Sequence, residues 1–211
     1  KDFTPISLIG TFPYFVVVNN DLPVKTLREL VDYARAHPGT LNYASGNAMG
    51  IIATGQLIAQ EKLDMVHVPY KAPPGPDVIS GAVSLYLEAS TTAIPTIKVG
   101  RIKALAVSGA ERIPGLPDVP TISEYRADLD PNGVIGNSWH GIFTPAGTPD
   151  DIVTRLNTEI VKIVKTAEIQ ERMRSLALTP SGTPASVLAA DVSSDFAYWG
   201  KLVRDLGIKF E

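Results

Sequence analysis

One short run of small residues carries the clearest chemistry in this sequence. The segment 45–50, Ser-Gly-Asn-Ala-Met-Gly, follows a strand-like stretch and precedes a helix-like one. A helix that starts at a strand end aims free backbone N–H groups, and the positive end of its dipole, at one place. That arrangement suits a carboxylate or a phosphate. A tight turn that needs glycine for positive φ predicts the same residues, and the spacing does not separate the two interpretations.

Acidic and aromatic side chains flank the other predicted strand ends. Glu88 ends a strand predicted over 83–88, the position at which open α/β sheets hold their ligands, although a solvated strand end is the alternative. A set of aromatic residues could line a cleft there, or could simply pack in the core or its rim. They are Phe12, Tyr14, Tyr70 and Trp139.

Catalytic and metal-binding patterns are missing from the sequence. The three histidines, His37, His67 and His140, have no partner at metal-ligand spacing, and the chain contains no cysteine. The signatures of a nucleophile elbow, a phosphate-binding loop and a dinucleotide fold are also absent. Ser138 and His140 share a strand face but have no acidic partner. The sequence therefore shows no catalytic constellation, and we expect no metal, no cofactor and no enzymatic activity.

Charge and hydropathy narrow the possible partners. The chain has 211 residues with 19 basic and 22 acidic side chains, a net charge of −3, which does not favour binding to nucleic acid or to an anionic membrane. Its apolar runs are far shorter than the ~18 residues of a membrane-spanning helix. The first residues contain neither a Met start nor an apolar signal segment, so we expect that any signal peptide has been removed or was never present.

The elements that would position these residues alternate between strand and helix. The run 15–18 predicts a buried strand, and Thr26 begins a capping box for an amphipathic helix that ends near His37. The same alternation continues to residue 108, which predicts parallel strands joined by crossover helices in one α/β unit over about 14–137.

The C-terminal third is predicted to be nearly all helix. After a strand at 138–144, helices are expected over 152–164, 167–176 and 184–206. Thr148 and Thr183 are the predicted N-caps, each followed by a proline at the first helical position. These helices have little sheet to cover, so we expect apolar side chains to be exposed on the 152–164 helix.

Several sequence blocks, in order along the whole chain, closely resemble the Bug family of periplasmic solute receptors, which serve tripartite tricarboxylate transporters. The blocks lie at 1–7, 22–26, 38–45, 66–71, 101–107, 116–121, 145–149 and 199–201. The resemblance implies a type II periplasmic-binding-protein fold, with two Rossmann-like lobes joined by a hinge. It further implies that 14–138 is a complete lobe, that 1–13 and 139–211 are the hinge strands and C-terminal helices of the other, and that an N-terminal segment is missing.

The resemblance also implies which residues face the ligand. They are Thr11, Pro13, Tyr14, Gly46, Asn47, Ala48, Met49, Gly50, Ile51, Glu88, Ala89, Ser90 and Trp139. Many family members have a polar run after the Gly-Asn turn, whereas this chain has Ala-Met-Gly-Ile-Ile. We expect such a turn to favour a carboxylate with an apolar or aromatic body.

The resemblance implies a non-enzymatic receptor that traps a small organic acid between closing lobes and presents it to membrane transporter subunits. It implies a periplasmic protein, monomeric at full length, and we expect the 211-residue chain to bind ligand weakly or not at all without the missing segment. The alternative is the effector-binding domain of a transcriptional regulator, which shares the fold but needs a basic helix-turn-helix segment. An α/β enzyme would need a nucleophile and base, or a metal.

Overall fold

A computed structural model describes residues 2–46, 48–128 and 138–205. The chain divides into two units, one formed by residues 1–11 with 139–211 and the other by residues 12–138. The strands are β1 (Phe3–Phe12), β2 (Tyr14–Val18), β3 (Asn42–Ser45), β4 (Val66–Pro69), β5 (Leu85–Ala89), β6 (Lys103–Val107), β7 (Ser138–Pro145) and β8 (Thr179–Pro180). The helices are α1 (Leu27–Ala36), α2 (Ala48–Glu61), α3 (Gly75–Ser80), α4 (Ser90–Lys98), α5 (Ile122–Tyr125), α6 (Asp150–Val164), α7 (Ala167–Ser175) and α8 (Ala185–Asp205).

The unit of residues 12–138 contains a five-stranded sheet with the order β4-β3-β5-β2-β6. Strands β3, β4 and β5 are parallel, as predicted, but β2 runs antiparallel to both of its neighbours, β5 and β6. The prediction of uniformly parallel strands was therefore wrong. Alternating strands and helices predict crossovers between parallel strands, whereas β2 lies between β5 and β6, two strands that come much later in the chain.

Local signals explain why α1 forms where it does. The Thr26 hydroxyl accepts a hydrogen bond from the Glu29 N–H at 3.1 Å, and the Glu29 carboxylate accepts one from the Lys25 N–H at 2.7 Å. The buried face consists of the predicted positions, Leu27, Leu30, Val31 and Ala34. Capping and periodicity agree here, so local sequence signals specify where this helix begins and which face it buries.

The other unit contains a three-stranded sheet of order β7-β1-β8 and three helices. Thr148 does not cap α6, because Pro149 holds the N-cap position and the Thr148 hydroxyl donates to the Pro145 carbonyl at 2.8 Å. The Thr183 hydroxyl accepts a hydrogen bond at 3.3 Å from the N–H of Leu8, which lies in β1. As predicted, α6 leaves apolar side chains exposed, among them Ile152, Leu156 and Ile163.

Within the described ranges, no helix has both the length and the apolar character to cross a membrane.

Candidate functional site

The predicted site residues of the unit 12–138 lie along one edge of its sheet. Because β3, β5 and β6 share one direction and β2 runs against them, the carboxyl ends of these three strands meet the amino end of β2. This edge carries Ser45, Ala89 and Val107 at the ends of three strands, and Tyr14 at the start of the fourth. Sequence reasoning placed the site at this kind of edge, and the topology brings its segments together.

Two helices start at this edge from neighbouring strands. Helix α4 begins at Ser90, directly after β5, and α2 begins at Ala48, three residues after the end of the adjacent strand β3. No side chain caps α4 at Ala89, and neither helix has an acidic residue in its first turn. Neither first turn thus supplies an acidic side chain to the positive end of its helix dipole, an arrangement that favours an anion.

The turn between β3 and α2 needs glycine because another segment approaches it closely. A Cβ on Gly46 would lie 2.9 Å from the Ala72 carbonyl oxygen and 3.2 Å from Pro73 Cα, and its φ is not positive. The interpretation through positive φ was therefore wrong for Gly46. Asn47 lies outside the described residues; Gly50 is buried and Ile51 partly exposed on α2.

Tyr14 is the best anchored of the predicted residues. Its N–H donates to the Ser108 hydroxyl at 2.7 Å, and its carbonyl accepts from the Ser108 N–H at 2.8 Å. The phenol accepts a hydrogen bond from the Ser138 hydroxyl at 3.3 Å. Burial raises the pKa of Tyr14, outweighing the hydrogen bond from Ser138, so the phenol stays neutral at physiological pH.

The segment that ends β5 lies directly against the start of β2. Ala89 pairs with Tyr14 across the ladder, and the Ser90 N–H donates to the Pro13 carbonyl at 3.0 Å. Glu88 is only 5% exposed and Ser90 is fully buried. Glu88 Oε2 and the Ser90 hydroxyl have no hydrogen-bond partner within the described part of the chain. Two unsatisfied buried polar atoms, two residues apart at a strand end, mark this as a place where a further polar group is needed.

The environment of Glu88 disfavours a negative charge. Burial raises the pKa of its carboxyl, and a hydrogen bond from Thr92 lowers it by less. The other carboxyl oxygen, Oε1, lies 3.8 Å from the point where a Cβ on Gly75 would stand, at the start of α3. Since Ala72 and Pro73 also contact Gly46, the loop that leads into α3 links the β3 end to the β5 end.

Two predicted residues belong to the other unit. Thr11 pairs with Thr179 near the end of β1. Trp139 lies in β7, and its indole N–H donates to the Asp195 carboxylate at 2.7 Å. That hydrogen bond commits the single donor of the indole, so the remaining surface of Trp139 is an apolar face.

Sequence reasoning missed Ser108, the 72–75 loop and a contact of Ser45. The Ser45 hydroxyl lies 2.5 Å from His67 Nε2, and the His67 ring stacks on Tyr43 with 4.9 Å between centroids. A polar residue directly after an apolar strand was the available signal for Ser108. The described ranges contain no group of three or more acidic or histidine side chains that could hold a metal ion.

Comparison with known proteins defines the class. The model of the tripartite tricarboxylate transporter family receptor matches residues 1–208, and the chain belongs to this family. The family is one of receptors, which confirms the predicted non-enzymatic class. The structural match to a periplasmic binding protein confirms the predicted fold.

Individual relatives agree with this assignment. A UPF0065 protein from the tcbD-tcbE intergenic region of Pseudomonas sp. (strain P51) is 35% identical over 96% of this chain, and the chain spans 61% of that relative's length. The structure of R. palustris Rpa4515 with adipate is 30% identical, with a TM-score of 0.89 over 99% of this chain and 70% of that one. The structure of the periplasmic binding protein BugD is 27% identical, with a TM-score of 0.89 over 99% of this chain and 71% of that one.

Proposed function

We propose that the protein is a periplasmic receptor that captures a small organic carboxylate and delivers it to the membrane subunits of a tripartite tricarboxylate-type transporter. The observation that carries this proposal is the pair of helix starts without an acidic first turn, α2 and α4, at one edge of the sheet. Backbone N–H groups at such starts bind a carboxylate without requiring a cationic side chain. The relative crystallised with adipate supports the same ligand class.

The ligand-binding residues follow from this arrangement. We assign the carboxylate to the backbone at Gly46–Ile51 and at Ala89–Ser90, with Pro13 and Tyr14 as the wall beside it. Thr11 and Trp139 would complete the site from the other lobe. Closure of the lobes would satisfy the ligand from both sides, and bound ligand would shift the population toward the closed state. The closed receptor, a monomer, would then dock on the transporter.

The division into lobes belongs to the same proposal. Residues 14–138 would form a complete lobe, and residues 1–13 with 139–211 the C-terminal part of a second. The chain spans 61% of the curated relative's length.

The first turn of α2 supports a preference within the carboxylates. It offers Ala48, Met49, Gly50 and Ile51, with no hydroxyl or acidic group. An apolar surface beside an anion-binding backbone suits an acid with an aliphatic or aromatic body better than a heavily hydroxylated one.

Isothermal titration of the natural full-length protein tests the proposal. Adipate, benzoate and citrate are the probes, and adipamide, which has the same chain without charge, is the control. We expect heat from adipate or benzoate and none from adipamide. Absence of binding by every acid contradicts the receptor function, and citrate binding more tightly than both other acids contradicts the preference for an apolar body.

Delivery to a transporter needs a separate measurement. Uptake of a labelled acid that binds in vitro should fall to background in cells lacking the receptor gene and return when the gene is supplied. Unchanged uptake in the deleted strain would contradict the role in transport.

A further inference from the structure

The carboxyl group of Glu88 poses a physical problem at the proposed ligand edge. It is 5% exposed, and its Oε2 has no hydrogen-bond partner in the described residues. Ionised carboxylates that are buried in proteins are normally paired with cations or fully hydrogen-bonded. Among the described residues, a hydrogen bond from Thr92 partly offsets the effect of burial on the Glu88 carboxyl. The charged form is therefore poorly stabilised where it stands.

Neighbouring charged groups do not relieve this problem. Strand β5 packs against β2, β3, α2 and α4, and Gly75 brings α3 close to Glu88. The titratable side chains on β5 and these elements, Glu88 apart, are Tyr14, Tyr43, Glu61, Asp77, Tyr86 and Lys98. The tyrosines are neutral at physiological pH. Lys98 lies in the last turn of α4, at the end away from the site.

The two acids of that set, Asp77 and Glu61, bind other side chains. Asp77 accepts a hydrogen bond from the Tyr70 hydroxyl at 2.5 Å. Glu61 ends α2 at the opposite edge, and Arg35 and Arg126 each lie 2.6 Å from it. No cation of these described elements thus stands beside Glu88 to compensate its charge.

An anionic ligand at the same edge makes the problem worse. Two like charges in a poorly solvated site repel strongly, and one of them gives up its charge by binding a proton. The ligand carboxylate would be held by backbone N–H groups at the helix starts and would keep its charge, whereas no described residue donates a hydrogen bond to Glu88 Oε2. We infer that the receptor takes up one proton with each carboxylate it captures, and that Glu88 is the group that holds this proton in the complex. The inference rests on the proposed function.

Proton-linked capture has a measurable sign. If binding takes up one proton, the affinity falls as pH rises above the pKa of Glu88 in the free protein, by up to tenfold for each pH unit. The ligand's own carboxyls are ionised above about pH 6.5, so they do not contribute to the slope there. A receptor with this property binds its ligand more tightly at acidic pH and releases it more readily at alkaline pH.

Titration of the natural full-length receptor with adipate tests the inference. Isothermal titration in two buffers of different ionisation enthalpy gives the number of protons taken up, and repeating it from about pH 6.5 to about pH 8.5 gives the slope of affinity with pH. We expect up to one proton and a falling affinity for the wild type. Glu88→Gln, which keeps the shape and cannot ionise, should take up none and should bind with an affinity independent of pH.

Asp77→Asn is the matched control, because it removes the carboxylate of α3, the helix whose Gly75 lies close to Glu88, and should leave the proton count unchanged. Infrared difference spectra give an independent readout, since adipate should produce a protonated-carboxyl band in the wild type and not in Glu88→Gln. Binding without proton uptake, or uptake that persists in Glu88→Gln, overturns this inference and leaves the receptor function intact. Failure of adipate and every other acid to bind overturns the receptor function and this inference with it.

Discussion

Near the two ends of α2 lie two buried glutamates whose charged surroundings differ. At its C-terminal end, Glu61 is 5% exposed and bonded to Arg35 and Arg126 at 2.6 Å each. At the edge where α2 begins, Glu88 is equally buried and has no cation beside it in the described structure. Burial alone would raise the pKa of Glu61, but hydrogen bonds from Arg126 and Tyr125 and the two arginine charges lower it overall, whereas burial dominates at Glu88.

This contrast separates a stabilising end of the unit from a functional one. The arginine pairs join α1, α2 and the segment after α5, so they hold three parts of the chain together. Among the described residues, the opposite edge has unsatisfied polar atoms and a start of α4 that no side chain caps. Such features cost stability, and a fold retains them where a ligand is to be bound.

The largest expected effect comes from breaking the stabilising end. Glu61→Gln should lower the free energy of unfolding by about 2 kcal/mol, less than the loss of a fully buried pair because both arginines are partly exposed. The matched change at the other edge, Glu88→Gln, should cost nothing. Urea unfolding measures both, and ligand affinity should be unchanged in Glu61→Gln. Equal losses at the two positions would contradict the contrast.

Acid titration sharpens the same comparison. Because the pKa of Glu61 is lowered on folding, its contribution is present above its unfolded pKa and is lost as pH falls through the folded value. The wild type should therefore lose stability between about pH 5 and about pH 3, and Glu61→Gln should lose less over the same interval. Urea midpoints at each pH provide the measurement. If the stability of the two proteins changes with pH in the same way, the arginine pairs do not lower the pKa of Glu61.

Two glycines near the start and middle of α2 form the next test. Gly46→Ala should cost about 1 to 2 kcal/mol and weaken ligand binding, because its Cβ would meet the Ala72 carbonyl at 2.9 Å. Gly55→Ala has nothing described within 4 Å and should raise stability by up to about 1 kcal/mol through helix propensity. Similar effects from both substitutions would mean that close packing at the turn is not what requires glycine there.

These cases also show what the sequence could predict. Helix α1 was predictable because its capping residues and apolar period are local, and Glu88 could be placed at a strand end for the same reason. The antiparallel direction of β2 appears in its pairing with β5 and β6, which are distant in the chain, and α5 is only four residues long, too short for periodicity to reveal. The isolation of Glu88 and the arginine pairing of Glu61 arise from residues distant in the chain, so composition near either glutamate gives no sign of them.

Glu88→Gln should also have a small stabilising effect in the absence of ligand. A carboxyl whose pKa is raised on folding holds its proton more tightly in the folded state, so the wild type loses stability as pH rises from the unfolded pKa through the folded one. The variant avoids that loss and should gain between zero and about 1 kcal/mol near pH 7, with no gain near pH 3, where the carboxyl is neutral in both states. Unfolding at the two pH values measures the difference, and a variant less stable than the wild type near pH 7 would show that the charge of Glu88 is stabilised by the fold.

The smallest effect concerns the core between the two ends of α2. A cavity of about 30 Å³ lies between α2 and the sheet, lined by apolar side chains that include Ala53, Leu57 and Leu85. It has room for about one or two methyl groups, so Ala53→Val should gain a few tenths of a kcal/mol at most, since the lower helix propensity of valine offsets part of the gain in packing. The two edges should not respond: the ligand affinity and the acid sensitivity should both remain those of the wild type. A loss above about 1 kcal/mol would mean that the core is already full and that valine strains it. In that case α2 would transmit changes between its ends, and the separation of a stabilising edge from a ligand edge would no longer hold.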